Sequence, residues 1–125
     1  MSSSLAFDPV ENLKRFHAAI NALDFDVIDA CFAEDVAYLS GGTGNVEGKA
    51  QVMAAFRRYF EAYPDQVAEN DAVYRLSDNS AKSVWRLKAT HAVTGEPLVR
   101  RGEETIYFNA AGKIVRVEVT DLELD

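Results

Sequence analysis

The sequence has little of several residue types that mark familiar classes of protein. It holds one cysteine, Cys31, so no disulfide can form within the chain. The apolar helical pattern around Cys31 indicates a small buried side chain in a reducing compartment. No apolar run approaches the ~20 residues of a membrane span, and the first residues lack the basic and apolar segments of a signal peptide. We therefore expect a cytoplasmic protein with no membrane partner.

Positive charge is also scarce. The chain has 13 Lys and Arg against 20 Asp and Glu, a net charge of -7 and a pI of about 4.8. A nucleic-acid binder gathers basic side chains on one surface to neutralise phosphates, and no such stripe is present. The two histidines, His17 and His91, follow no metal-ligand spacing with Cys31. The sequence therefore predicts no nucleic-acid partner and no metal site.

A glycine-rich stretch at 41–48 invites comparison with phosphate-binding loops. Gly42, Gly44 and Gly48 are spaced G-x-G-x-x-x-G, one residue longer than the dinucleotide fingerprint. Alanine follows Lys49, where a P-loop places the Ser or Thr that binds magnesium. We interpret 41–44 as a flexible loop and expect no cofactor.

The chain does have a strong and changing hydrophobic period. With 125 residues and 48% hydrophobic composition, it is long and apolar enough for one folded domain, 1–125. Helical spacing predicts a helix from Pro9 and two more over 25–32 and 49–63, with a short strand at 36–40. Beyond Pro64 the residues alternate, which predicts antiparallel strands. These run over about 67–76, 82–92, 98–108 and 113–122. Helices first and hairpins last indicate an α+β fold, with three N-terminal helices against one face of an antiparallel sheet.

The last predicted hairpin places a carboxylate on its apolar face. A four-residue loop at 109–112 would set Ile106 opposite Val115 and Glu104 opposite Val117. Glu104 then lies mid-strand beside Trp85 or Leu87 of the preceding strand. An isolated carboxylate there costs several kcal/mol unless it is paired or neutral. We therefore predict a cavity with a polar purpose and a raised Glu104 pKa, unless a bulge turns Glu104 to water.

Other ionisable groups share this inner face near the strand ends. They are His91, Arg100 and Asp121, and the same hairpin register sets Arg100 opposite Asp121. A simpler interpretation is a rim salt bridge between Arg100 and Asp121 and a hydrogen-bonded His91. The opposite face would carry Val84, Thr105, Tyr107 and Ile114 among charged residues, and a homodimer could cover it.

Four stretches of the chain carry a family resemblance. They are residues 16–39, 47–65, 83–91 and 103–118, and together they resemble the nuclear transport factor 2-like superfamily, in its SnoaL-like and ketosteroid-isomerase-like branches. The resemblance implies a cystatin-like cone, in which a curved antiparallel sheet wraps a long helix around an apolar pocket. It also implies frequent dimers through the sheet. Relatives isomerise ketosteroids, cyclise polyketides, hydrolyse epoxides, dehydrate small molecules, or only bind partners.

The resemblance transfers unevenly to individual residues. The position of the ketosteroid-isomerase base is matched by Ser40, that of the oxyanion-donating tyrosine by Phe16, and that of the protonated aspartic acid by Glu104. Because one of three polar roles is kept, steroid isomerase activity is not expected. Thr90-His91 resembles the histidine segment of SnoaL-like cyclases, and Asp121 resembles their acid/base aspartate.

Two functions remain open from the sequence. The first is a cofactor-independent isomerase, cyclase or lyase acting on a small apolar carbonyl compound, with Glu104, Asp121 and His91 as catalytic groups. The second is a non-catalytic ligand-binding or dimerisation module on the same fold. In the first case the residues expected to contact substrate are Phe16, Tyr38, Ser40, Trp85, Leu87, Arg100, Ile106 and Val117.

Overall fold

The computed structural model of the chain describes residues 7–40 and 44–122. Its elements, in chain order, are α1 (Pro9–Asn21), α2 (Phe25–Cys31), β1 (Phe32–Ser40), β2 (Gly44–Glu47), α3 (Lys49–Ala62), β3 (Val67–Ser77), β4 (Ser80–Thr90), β5 (Pro97–Phe108) and β6 (Ile114–Leu122). The loop predicted at 41–44 lies mostly outside the described residues, and Gly44 opens a strand. No helix in the described ranges is long and apolar enough to cross a membrane.

Local sequence explains where each helix begins. The Asp8 side chain accepts a hydrogen bond of 2.9 Å from the Val10 N–H, and Pro9 occupies the first turn, where its missing N–H is not needed. Asp24 caps α2 in the same way. The third helix starts after Gly48, whose φ of 89° favours glycine. The three predicted helices are thus present, although β1 and β2 separate the second from the third.

The six strands form one curved sheet in the order β2-β1-β6-β5-β4-β3. All neighbouring strands are antiparallel except β1 and β6, which are parallel. The prediction of a wholly antiparallel sheet is therefore wrong at this pair. The chain leaves β1, passes through α3 and the hairpins, and returns alongside β1 in the same direction. The four-residue strand β2 was not predicted, because 44–47 carries too few alternating residues to give a signal.

The register of the β5–β6 hairpin also differs from the prediction. Ile106 lies opposite Val117, and Glu104 lies opposite Val119, a shift of two residues. The shift arises near the turn, where Phe108 pairs with Ile114 and Val115 becomes an extra, bulged residue. Because two residues preserve the strand face, Glu104 still points inward. Ile114, expected on the outer face, is instead buried in the core.

The core lies between the inner face of the sheet and the helices. Phe16 of α1 and Phe32 of β1 meet edge to face at 5.4 Å between ring centroids, and both are buried. The helix α1 packs against β3 and β4, whereas α3 packs against β1 and β2. The two helices therefore cover different parts of the same face, and a cavity remains between them.

Candidate functional site

The cavity between α1, α3 and the sheet has a volume of about 150 Å³. Its walls are mostly aliphatic and aromatic, with a few polar groups that come from helices and strands. The lining residues are His17, Ile20, Tyr38, Ser40, Val46, Val52, Ala55, Phe56, Tyr59, Phe60, Gln66, Ala68, Trp85, Leu87, Arg100, Glu104 and Val119. An apolar cavity with a few convergent polar groups is the usual form of a small-molecule site.

The central polar feature of the cavity is a contact between a histidine and a glutamate. Nε2 of His17 lies 2.5 Å from Oε1 of Glu104, and both side chains are largely buried. On the other side of the ring, Nδ1 lies 3.0 Å from Oδ1 of Asn70. Both neighbours are oxygen atoms, and the raised pKa of His17 favours the imidazolium, in which both ring nitrogens donate. Glu104 is thus not an isolated carboxylate, as the sequence suggested, but one half of an ion pair.

Three elements bring this pair together. His17 stands on the inner stripe of α1, four residues after Leu13 and three before Ile20. Asn70 lies opposite Trp85 and two residues after Ala68, so the alternation of β3 turns it inward, and a register shift follows between Asn70 and Ala72. The His17 orientation is therefore fixed by α1, β3 and β5 together.

Burial and charge act on His17 in opposite directions. Burial lowers the pKa of the imidazole, but the attraction and hydrogen bond of Glu104 and the hydrogen bond to Asn70 outweigh it. The net effect raises the His17 pKa above its ordinary value. The proton is consequently held more firmly by His17 than by a histidine in water.

A second polar group of the cavity lining is Arg100, whose side chain is 20% exposed. Its Nη2 donates a 2.6 Å hydrogen bond to Oδ1 of Asp121, whose side chain is about half exposed. The guanidinium lies 5.5 Å from the centre of the Trp85 ring. Burial raises the pKa of Tyr59, while the charge and hydrogen bond of Arg100 oppose that rise. The Tyr59 hydroxyl donates to Gln66 on its other side.

The Tyr38 hydroxyl interacts electrostatically with both Glu104 and Arg100. Burial raises the pKa of its hydroxyl well above the usual range, and the Glu104 carboxylate adds to that rise while Arg100 opposes it. The hydroxyl therefore keeps its proton at any physiological pH and remains a hydrogen-bond donor.

The structure brings together only part of the set of site residues predicted from the sequence. Glu104 is inward and 5% exposed, as predicted, but it lies opposite Ser83 rather than beside Trp85 or Leu87. The Arg100–Asp121 salt bridge is present, although Asp121 lies opposite Gly102 because of the register shift. Asp121 itself does not line the cavity. The predicted residues that do line it are Tyr38, Ser40, Trp85, Leu87, Arg100 and Glu104.

Three predicted substrate contacts are displaced into the core. Phe16, Ile106 and Val117 are fully buried and pack among other apolar side chains rather than along the cavity wall. Ile106 and Val117 share the inner face of the sheet with lining residues, whereas Phe16 lies on α1. Sharing a face therefore does not by itself give access to the cavity.

His91 is the clearest correction. It follows the end of β4, and its Nδ1 accepts hydrogen bonds from the backbone N–H groups of Val93 and Thr94. Its ring packs edge to face against Tyr63. The side chain stabilises a turn outside the cavity, so the histidine of this site is His17, which the sequence argument considered only as a metal ligand.

Two residues of the site, His17 and Asn70, were not predicted from the sequence, and only one of them had a sequence signal. His17 had a signal, because it shares the helical stripe of Leu13, Phe16 and Ile20. Asn70 had none, since a polar residue in an alternating strand does not reveal which helix side chain it contacts. Among the described residues, no group of three or more His, Cys, Asp or Glu side chains is placed to hold a metal ion.

Comparison with known proteins places this geometry in context. A Mycobacterium tuberculosis protein in complex with estradiol-17β-hemisuccinate has 20% identity and a TM-score of 0.81, covering 94% of this chain and 95% of its own. The epoxide hydrolase/cyclase-like enzyme SalBIII, which acts in pyran ring formation in salinomycin, has 17% identity and a TM-score of 0.79, covering 90% and 88%. A cystatin-fold protein of Novosphingobium aromaticivorans has 22% identity and a TM-score of 0.76, covering 92% and 99%.

At such identities these neighbours establish the fold alone. No curated protein matches the chain in sequence. The family profile of the SnoaL-like domain, however, matches residues 13–117, which is most of the chain. The chain therefore belongs to the SnoaL-like domain family of the nuclear transport factor 2-like superfamily.

Proposed function

We propose that this chain, as a single domain, binds a small apolar carbonyl compound in its cavity and moves a proton on it. The observation that carries the proposal is the 2.5 Å contact between His17 Nε2 and Glu104 Oε1 at the cavity wall. A cation and a carboxylate held side by side in an apolar site supply an acid and a base in one place. Their roles replace those that the sequence analysis gave to His91 and Asp121.

The proposed step is proton removal from a carbon next to a carbonyl group. One oxygen of Glu104 accepts from His17, and the other takes the proton from carbon. The electron pair of the broken C–H bond moves into the carbonyl group and gives an enolate. Glu104 then returns the proton to the same or another carbon, so that no cofactor or co-reactant is consumed.

Tyr38 supplies the matching hydrogen bond in this proposal. Its hydroxyl stays protonated and lines the same cavity as Glu104. A donor aimed at the oxygen where negative charge develops stabilises an enolate more than it stabilises the ketone. The His17 cation adds a favourable charge nearby. Walls of aliphatic and aromatic side chains exclude water and strengthen both interactions.

The known neighbours support both small-molecule binding and chemistry on this scaffold. One is in complex with a steroid ester, and another is described as an epoxide hydrolase/cyclase-like enzyme. Their names leave catalysis and simple ligand binding both open for this chain. The arrangement of an acid, a base and an uncharged donor around one cavity favours catalysis.

Deuterium exchange of a single-ring ketone tests the proposal. Acetophenone in D₂O exchanges the protons next to its carbonyl when a base removes them, and proton NMR follows the loss of signal. We expect wild-type protein to accelerate this exchange over buffer. Replacing the proposed base, as Glu104→Gln, should lower the accelerated rate by about 100-fold or more.

The matched control is Glu103→Gln, on the same strand. Glu103 faces the outer side of β5 and pairs with Lys82 at 3.3 Å, so its loss should leave exchange unchanged. Glu104→Gln leaves the His17 charge without its partner, and we expect a loss of about 1–3 kcal/mol in the free energy of unfolding. Rates must therefore be compared at a temperature where both variants are folded. Equal exchange by wild type and Glu104→Gln would reject the proposed base.

The same wild-type and variant proteins also test the second candidate function, which is ligand binding without catalysis. Trp85 is the only tryptophan of the chain and lines the cavity, so its fluorescence reports occupancy. Quenching by acetophenone without accelerated exchange would favour the binding module.

We also propose a homodimer through the outer face of the sheet, which the resemblance to the family implies.

A further inference from the structure

We propose that the ligand of this cavity is a single-ring carboxylate, with its carboxylate on Arg100 and its ring between Arg100 and the His17–Glu104 pair. This inference deepens the proposed function and rests on it, because it concerns the same cavity. It differs from a purely apolar carbonyl compound in two respects, the negative charge and the small size.

The size follows from the cavity volume. A cavity volume of about 150 Å³ is of the order that holds one benzene molecule, whereas sites for drug-sized ligands measure roughly 300–1,000 Å³. The rings of Tyr38, Phe56 and Trp85 occupy space in the walls. Phe56 and Tyr38 meet edge to face at 5.4 Å between ring centroids. A single ring with short substituents fits, and a steroid does not.

The charge follows from the ionisable groups of the lining. Among the described residues these are His17, Arg100 and Glu104, which sum to +1 when His17 carries its proton. The chain as a whole has a net charge of -7, so the charge of the cavity lining is opposite in sign to that of the molecule. Asp121 balances Arg100 only in part, because its carboxylate is about half exposed and therefore screened by water.

Arg100 is also suited to an anion by its geometry. A guanidinium has five N–H donors in a planar fork, and Asp121 is joined to Arg100 through one of them, at 2.6 Å. The stacking of the guanidinium near Trp85, at 5.5 Å, holds its plane beside the cavity. Because the Arg100 side chain is 20% exposed, a carboxylate bound to it keeps some contact with solvent, which limits the cost of its desolvation.

The distance between Arg100 and Glu104 suits a ligand with one ring and one carboxylate. Arg100 and Glu104 are four residues apart on β5, roughly 13 Å along the strand at ~3.3 Å per residue. Both side chains line the cavity, and Tyr38 interacts electrostatically with each. A ring of benzene size with one carboxylate fills the remaining gap, and its far edge meets the proton-transferring pair.

The test uses Trp85 fluorescence with four probes: benzoate, phenylacetate, benzamide and estradiol. We expect the two carboxylates to bind at least tenfold more tightly than neutral benzamide, and estradiol not to bind. Arg100→Met should abolish the tenfold preference while benzamide binding persists, and Arg100→Lys should keep a preference because it keeps the charge. Asp121→Asn should raise benzoate affinity several-fold, because it frees the guanidinium from a competing carboxylate.

The matched control is Arg86→Met. Arg86 also pairs with an aspartate, Asp71, at 2.7 Å, but it lies on β4 with 64% of its side chain exposed. Its loss removes the same charge without touching the cavity, and the preference for benzoate should remain. Thermal unfolding verifies that each variant is folded.

The possible results distinguish the carboxylate inference from the proposed proton transfer by Glu104. Equal affinity for benzoate and benzamide, a preference that survives Arg100→Met, or tight estradiol binding would overturn the carboxylate inference. Acetophenone exchange that depends on Glu104 would still stand in each of those cases. Absence of any quenching by all four probes and by acetophenone would overturn both.

Discussion

At the scale of single residues, the His17–Glu104 pair links stability to pH. An unfolded histidine titrates near pH ~6.5, whereas the pKa of folded His17 is raised. The stability gained from the proton is therefore complete below about pH 6.5 and is lost as pH rises through the folded pKa. We expect the free energy of unfolding in urea to decline over this window in wild type, and to decline less in His17→Gln.

The other histidine provides the control for this pH dependence. His91 lies outside the cavity, and His91→Gln should keep the wild-type slope of unfolding free energy against pH. A slope that is unchanged in His17→Gln but lost in His91→Gln would contradict the assignment of the pair.

Ser83 offers a second prediction at this scale. Its hydroxyl is fully buried on β4, opposite Glu104, and has no hydrogen-bond partner in the described structure. An unsatisfied buried polar group costs about 1–3 kcal/mol. Ser83→Ala should consequently raise the free energy of unfolding by about 1 kcal/mol, measured by urea titration.

Ser80, on the same strand, is the matched control for Ser83. It is also buried, but its hydroxyl lies 2.6 Å from that of Ser77. Ser80→Ala removes a satisfied hydrogen bond and should lower stability by about 1 kcal/mol. If both alanine variants lost stability, the Ser83 hydroxyl would have a partner after all.

At the scale of elements, β5 depends on a glycine that admits the tryptophan ring. A Cβ added to Gly102 would lie 2.5 Å from Cζ2 of Trp85 and 2.8 Å from the backbone oxygen of Thr120. The ring can move, but the neighbouring strand cannot. Gly102→Ala should therefore destabilise the protein by about 1–3 kcal/mol and change the Trp85 emission spectrum.

Replacing Trp85 with a smaller side chain tests which contact causes the loss of stability in Gly102→Ala. In the double variant with Trp85→Leu, the contact with the ring is relieved while the contact with Thr120 remains. We expect only part of the stability to return, by comparison with Trp85→Leu alone in urea titrations. An unaltered stability in Gly102→Ala would show that β5 and β6 can separate at little cost.

The elements themselves were largely predictable because they depend on local period. Helical spacing and caps located α1, α2 and α3, and the alternation after Pro64 located the four long strands. The bulges were not predictable, since they depend on which residue a neighbouring strand opposes. The bulge at Val115 shifted the β5–β6 register, and a second irregularity lies between Asn70 and Ala72 of β3.

At the scale of the whole molecule, the outer face of the sheet predicts self-association. Tyr74, Leu76 and Val99 remain 44%, 49% and 55% exposed. We expect a homodimer that buries near the ~1,600 Å² of a standard interface. Val84→Glu places a second carboxylate beside Glu103, its neighbour on β5, and should give monomers in sedimentation at micromolar concentration.

A matched substitution away from the sheet controls for added charge. Val93 is 87% exposed in the turn after β4, so Val93→Glu should leave the dimer intact. Wild-type protein that sediments as a monomer at micromolar concentration would contradict the dimer itself.

The sequence by itself determined the fold class and the presence of an inward carboxylate. Helical and alternating periods are local properties, and the side-chain period of two survives a register shift of two residues, so Glu104 faced inward in either register. The same argument placed Arg100 beside Asp121.

Only the tertiary structure decided what Glu104 meets. Its partner His17 lies 87 residues away, on a helix whose rotation and position over the sheet depend on the packing of the whole core. Asn70 reaches the same ring from a third element, β3. Long-range contacts of this kind carry no local pattern, which is why the sequence indicated a polar cavity and named the wrong histidine for it.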